Sequence, residues 1–323
     1  MISKDCGRLL TIARMKNDSA SKGMLRTTKI LLVEGFMDKI TYIPMISSDV
    51  EIISAGDKSY FIRNGGRPLD NVKKAIADTT QEFTRKKKEE GLYGYIELYG
   101  VIDKDFENAY PESNNLFVTD TNDLETLLFS CEAFSFSTFP TVDKETQVSI
   151  DGLAYQLGSI RRAFFDFIKN KNDNIREYIS EEQIRQNGNI LFVKNKDLTL
   201  KALINVFKKD PTNFFAAGLG EELATPIIHS YLRSKGIMNG SNLFVNKVEG
   251  FDKTKVDDYW DNVKGHDVCE VAKHIIPSID TYIPDIHDTY KKAFEKFIEA
   301  HTNREKLKTT NLYKRMHQAG VMA

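Results

Sequence analysis

The sequence is poor in the features that mark secreted, membrane-bound or zinc-binding proteins. Only three cysteines, Cys6, Cys131 and Cys269, occur in 323 residues; they form no CxxC pair and have no adjacent histidines of a zinc site. No run approaches the roughly 18 uninterrupted apolar residues of a membrane helix. The opening MISKDCGRLL has neither the basic start, the apolar stretch nor the small-residue cleavage site of a secretory leader. These absences predict a cytoplasmic protein with reduced thiols. Charge of one sign is also missing: the formal net charge is -1, so any surface for nucleic acid has to be a local patch. There is no G-x-x-x-x-G-K-[ST], which excludes NTP hydrolysis by the P-loop route and leaves any ATPase step to a partner. No fixed-period repeat or low-complexity segment appears.

What is present is enough for a substantial core. Hydrophobic residues make up 41% and charged residues 28% of a chain longer than one ordinary domain, so two domains are expected. Residues 1–26 are polar and weakly patterned, and read as an N-terminal arm or a short helix. From 27 to 140 short aliphatic runs alternate with helical spacing. Strands are predicted over Lys29–Val33, Val50–Ile53, Tyr93–Ile102 and Leu116–Val118, and helices over Asp38–Met45, Pro68–Glu90 and Asp123–Phe129. The order β-α-β-α-β-β-α implies an α/β domain with a Rossmann-like parallel sheet and flanking helices. Residues 141–323 carry long helical patterns and read as a mainly α-helical C-terminal domain.

The chemistry gathers where strands end. The stretch ILLVEGFMDKITY runs from an apolar strand into Glu34 and Gly35, with Asp38 four residues after Glu34. A later strand runs straight into Asp103-Lys104-Asp105, and Asp57 follows the second strand. In open α/β sheets, ligands bind beyond the carboxyl ends of strands, where strand order reverses. Residues two apart in an extended chain face the same way, which directs Asp103 and Asp105 together toward Glu34. Carboxylates held close repel one another unless a cation neutralises them, and an all-oxygen set suits magnesium or manganese. Such an ion assists phosphodiester cleavage, while Glu34 serves as ligand or as general acid/base. Asp38 is expected to support it.

VEGFMD followed by VIDKDFE resembles the signature of the Toprim domain, the metal-dependent module of bacterial primases, topoisomerases and several nucleases. The resemblance covers about 110 residues and implies that Glu34 acts as acid/base while Asp103 and Asp105 hold Mg2+. GVIDKDFEN followed by LFVTDTNDLETLLF is similar to the Toprim-like nuclease effectors of bacterial anti-phage systems of the PARIS type. That likeness implies a toxic, tRNA-cleaving endoribonuclease acting by abortive infection. It also implies an ABC-type ATPase sensor (AriA-like) as the partner that restrains and releases it. A homodimer is the expected active form. The rivals are a DNA nuclease of the overcoming-lysogenisation-defect (OLD) type, which usually carries its ATPase on the same chain, and a non-catalytic Toprim-like module that regulates a partner ATPase.

Weaker signals complete the set. Asn122-Asp123-Leu124-Glu125 fits a capping box, so Glu125 is either a capping residue or a further metal ligand. His266, expected one residue before a helix capped by Asp267 and Glu270, is a candidate for protonating a leaving oxygen. Lys58 and the run Arg85, Lys86, Lys87, Lys88 are candidates for holding phosphates. Lys291 to Ala323 holds eight Lys or Arg against three Glu, and is the best electrostatic candidate for RNA or an acidic partner.

Overall fold

The computed structural model describes residues 4–22, 29–55, 72–91, 94–104, 110–170, 248–276 and 290–323. It divides into two compact units, Met1–Ser135 with Ser278–Ala323, and Phe136–Pro277. Residues 278–323 group with the sheet and not with the helical half.

The first unit is built on four strands: β1 (Lys29–Val33), β2 (Val50–Ser54), β3 (Glu97–Ile102) and β4 (Leu116–Val118). Their order is β2-β1-β3-β4, and every neighbouring pair is parallel. A parallel sheet is covered on both faces, which is why ILLV of β1 and LFV of β4 are apolar throughout instead of alternating. From β1 the chain passes through α2 (Phe36–Tyr42) and a short 3-10 turn (Ile43–Met45) to β2. It then crosses back, through α3 (Val72–Glu90), to β3 on the other side of β1. The gap between the carboxyl ends of β1 and β3 is therefore the point where the winding reverses.

One face is covered by α3 and by α1 (Lys4–Ser21), which pack on each other. The predicted arm is thus a helix: Cys6, Leu9, Leu10 and Ala13 recur at helical spacing and enter the same core as Ile76, Phe83, Leu98 and Leu116. Helix α3 lies close on β3. A Cβ on Gly100 would stand 2.6 Å from Ile76 Cγ2 and 2.9 Å from Thr80 Oγ1, so only glycine permits this approach.

After β4 the chain forms α4 (Leu124–Ser130). The returning C-terminal segment supplies α8 (Tyr290–Ala300), α9 (Arg304–Leu307) and α10 (Asn311–Gln318), with α5 to α7 lying in the second unit described below. Helix α8 packs on α2, and α10 on β4. Helix α10 ends in a Schellman turn: Gly320 takes a left-handed φ of +68°, its N–H donates to His317 O, and Val321 N–H donates to Met316 O. The segment beyond it runs beside Met45–Ser47, with Ser47 N–H donating to Val321 O at 3.0 Å and Ala323 N–H to Met45 O at 2.8 Å.

The described elements of the second unit are helical: α5 (Lys144–Asn170), α6 (Tyr259–Asn262) and α7 (Gly265–Ile275), with a 3-10 turn at Lys253–Lys255. Helix α5 packs on both others, and Tyr155 stacks on Tyr259 with ring centroids 5.9 Å apart. Two short strand-like runs in this half of the sequence, Ile190–Val193 and Leu243–Val245, lie outside the described residues. No helix among the described residues is long and apolar enough to cross a membrane.

Candidate metal centre

Glu34 follows β1 and Asp103 follows β3, so the two carboxylates flank the reversal point. They are tied directly: Asp103 N–H donates to Glu34 Oε1 at 2.7 Å. Lys73, at the start of α3, places Nζ 3.9 Å from the same oxygen and donates to Asp103 O at 3.2 Å. Glu34 Oε1 is thus hydrogen-bonded by the Asp103 amide and paired with the Lys73 ammonium.

Gly35 is the N-cap of α2, and Asp38 occupies the third helical position. Asp38 Oδ2 accepts the Gly35 N–H at 2.8 Å, closing the first turn of the helix that Glu34 leads into. The E-x-x-x-D spacing is therefore explained locally: the second acid anchors the turn that aims the first. Asp38 is buried, and its carboxyl is pushed up to about 7, first by desolvation and then by the charge of Glu125, against the pull of the Gly35 N–H. Asp103 is held well above the usual carboxylate range by desolvation, with Glu34 and Asp38 adding repulsion and Lys73 opposing it. The phenol of Tyr42 is fully buried, has no hydrogen-bond partner, and is pushed up by burial and by Asp38, Asp103, Asp120 and Glu125.

The loops after β3 and β4 are joined through Thr119. Its N–H donates to Ile102 O at 3.0 Å, and its hydroxyl accepts the Lys104 N–H at 2.9 Å. Asp123 then caps α4, accepting the Thr126 N–H at 2.7 Å. The cap is one residue later than predicted and its box partner is Thr126, because Thr126 and not Glu125 stands at the third helical position. Glu125 is therefore not the capping residue; it is buried in the first turn, within electrostatic reach of Asp38.

Of the predicted site residues, Glu34, Asp38, Asp103 and Glu125 come together at one rim. Asp105 and Lys58 lie outside the described residues. Arg85, Lys86, Lys87 and Lys88 sit at the far end of α3, and Lys87 is about 21 Å along the helix axis from Lys73. Arg85 is engaged by Glu82 and Glu89, and Lys87 donates to Ile96 O at 2.9 Å. Lys87 and Lys88 line a hollow of about 710 Å³ with Tyr99, Phe117 and Arg315, at the amino ends of β3 and β4. His266 belongs to the second unit, where it is exposed as the second residue of α7; the cap position is Lys264, and Asp267 lies inside the first turn. The basic C-terminal segment spends much of its charge internally, with Arg304 on Glu299, Lys306 on Glu132, Lys308 on Glu305, and Arg315 on Glu112 and Asp120.

Lys73 was not among the predicted residues, although the sequence carried a signal. A cation in the first turn of a helix opposes the helix dipole and needs a compensating anion. The carboxylates that the described residues of the first unit bring to the rim are oxygen donors, crowded enough that Glu125 helps raise the pKa of Asp38 and Glu34 that of Asp103, beside an orphaned buried phenol. That chemistry fits a hard divalent cation and not a soft one. Comparison with protein-family models gives no match, and a search of curated proteins gives none either.

Proposed function

We propose that the chain is a magnesium-dependent endonuclease of the Toprim type, with Glu34 and Asp103 at its centre and Asp105 completing the ligand set. The observation that carries this reading is the Asp103 N–H to Glu34 contact across the point where the parallel sheet reverses its winding. Asp103 and Glu34, with Asp38 and Glu125 behind them, would hold Mg2+, or Mn2+ in its place. Bound there, the ion supplies charge neutralisation at the scissile phosphate and a more acidic attacking oxygen. Glu34 accepts the proton of that oxygen, its carboxylate kept in place by the Asp103 amide and by Lys73. Lys73 adds a fixed positive charge beside the carboxylates, where negative charge develops on the phosphoryl oxygens. Asp38 holds the turn that presents Glu34.

Within that class we place the chain with AriB-type effectors: an endoribonuclease cutting tRNA, cytoplasmic, toxic in anti-phage defence, and released from an ABC-type ATPase. This finer reading is supported by the resemblance of the D-K-D and T-N-D-L-E stretches. The test incubates wild-type and Glu34→Ala protein with Mg2+, end-labelled total tRNA and plasmid DNA. Discrete tRNA fragments from the wild type alone are expected. Plasmid nicking alone would move the protein to the OLD-type DNA nucleases. No cleavage of either, with the ATPase removed, would leave a non-catalytic module that binds its partner.

A further inference from the structure

We infer that Thr119 is a positioning residue that sets the distance between the acid at the end of β3 and the acids at the start of α4; this rests on the metal-centre reading above. The side chain is buried, 2% exposed, and its hydroxyl is used in both directions. Oγ1 accepts the Lys104 N–H at 2.9 Å and donates to Thr121 O at 2.7 Å. With an amide on its acceptor side and a carbonyl on its donor side, the hydroxyl is oriented by both bonds at once. Thr121 Oγ1 continues the path by donating to Asp123 O at 3.2 Å, and Asp123 caps the helix that carries Glu125. The Thr119 backbone adds the last rung of the β3–β4 ladder, N–H to Ile102 O.

The consequence is a rigid polar path from Asp103-Lys104 to Asp123-Leu124-Glu125. None of these hydrogen bonds involves a ligand carboxylate, so Thr119 touches neither ion nor substrate. It acts by holding two loops that, among the described residues, are also joined by the ladder hydrogen bond from Thr119 N–H to Ile102 O. Outer residues that orient ligating carboxylates typically change metal affinity or activity by about 10- to 100-fold when removed. A threonine in a β-strand end is also an ordinary packing residue, and the two roles separate cleanly. Packing needs the methyl group, whereas positioning needs the hydroxyl.

The experiment compares full-length wild type, Thr119→Val, Thr119→Ser and Thr119→Ala. Mn2+ binding is followed by calorimetry without nucleic acid, and the Mg2+ concentration for half-maximal cleavage is measured separately from the KM for tRNA. Thr119→Val is expected to weaken Mn2+ binding about 10- to 100-fold and to raise the Mg2+ requirement, with the KM for tRNA little changed, while Thr119→Ser stays near wild type. Where valine disturbs folding, Thr119→Ala against Thr119→Ser gives the same contrast. Serine as damaging as valine, or valine binding Mn2+ like wild type, overturns the positioning role and leaves the metal centre standing. A wild-type protein that binds no Mn2+ overturns both.

Discussion

The two ends of the parallel sheet carry similar numbers of charges and treat them in opposite ways. At the carboxyl end, Glu34, Asp38, Asp103 and Glu125 are drawn together, partly desolvated and made to repel, with Lys73 set among them. At the amino end, Arg85 is satisfied by Glu82 and Glu89 on its own helix, and Lys87 reaches a backbone carbonyl. One end stores electrostatic stress and the other disperses it. A run of four cations is conspicuous in a sequence, yet exposed ion pairs along a helix contribute little. A single lysine against the helix dipole is inconspicuous and sits where charge matters.

The sharpest way to break this comparison is to remove an acid of the stressed end. Glu34→Ala should lower Mg2+-dependent cleavage by about 1,000-fold or more, with the melting temperature nearly unchanged. Asp103→Asn should be equally inactive but more stable without metal, because it removes a repelled carboxylate; a cleavage assay beside thermal melts separates the two effects. Next comes pH. The folded-state pKa of Asp38 is raised, so the folded protein holds this proton more tightly than the unfolded chain. Its contribution is fully present below pH about 4 and is lost as pH rises to about 7, a loss of at most about 4 kcal/mol in metal-free protein. Denaturant melts across that window should show the decline. Asp38→Asn should flatten it while still accepting the Gly35 N–H.

Lys73→Met should reduce cleavage by about 10- to 100-fold, the scale of one charge-assisted contact, with a smaller change in KM than in kcat. The smallest effect belongs to the other end. Lys86→Ala with Lys88→Ala should leave cleavage within about twofold, as expected of exposed charges far from the reaction. A loss matching that of Lys73→Met would show that the amino end joins the function after all.

The sheet was legible in the sequence because each strand is a short apolar run stopped by an acid or glycine. Lys29–Val33 and Leu116–Val118 were bounded to the residue, and Glu34, Asp38 and Asp103 were legible for the same reason. The first segment was open between an arm and a short helix: Cys6, Leu9, Leu10 and Ala13 mark a buried helical face, but KNDSAS, which forms the last turns of that helix, reads as an exposed connection. The α4 cap slipped by one residue because Asn122 and Asp123 are both good caps, and only the backbone decides which one turns inward. Thr119 was invisible, and Lys73 was hinted at only by its place against the helix dipole, because their partners, Lys104 and Asp103, are reached only after the strands have paired. The return of residues 278–323 to the sheet is likewise a long-range event that no local pattern announces.

That return has a consequence for how the protein is made. Met45–Ser47 and Val321–Ala323 are joined by backbone hydrogen bonds although they lie about 275 residues apart, so at 5–20 residues per second the ribosome needs roughly 15 to 55 s to deliver the second stretch after the first. During that interval β1 and α2, and later β4, exist in the nascent chain before α8 can pack on α2 and α10 on β4. Completion of the first unit is therefore timed by translation of the insert between its two pieces, and a stall anywhere within that insert leaves the sheet open.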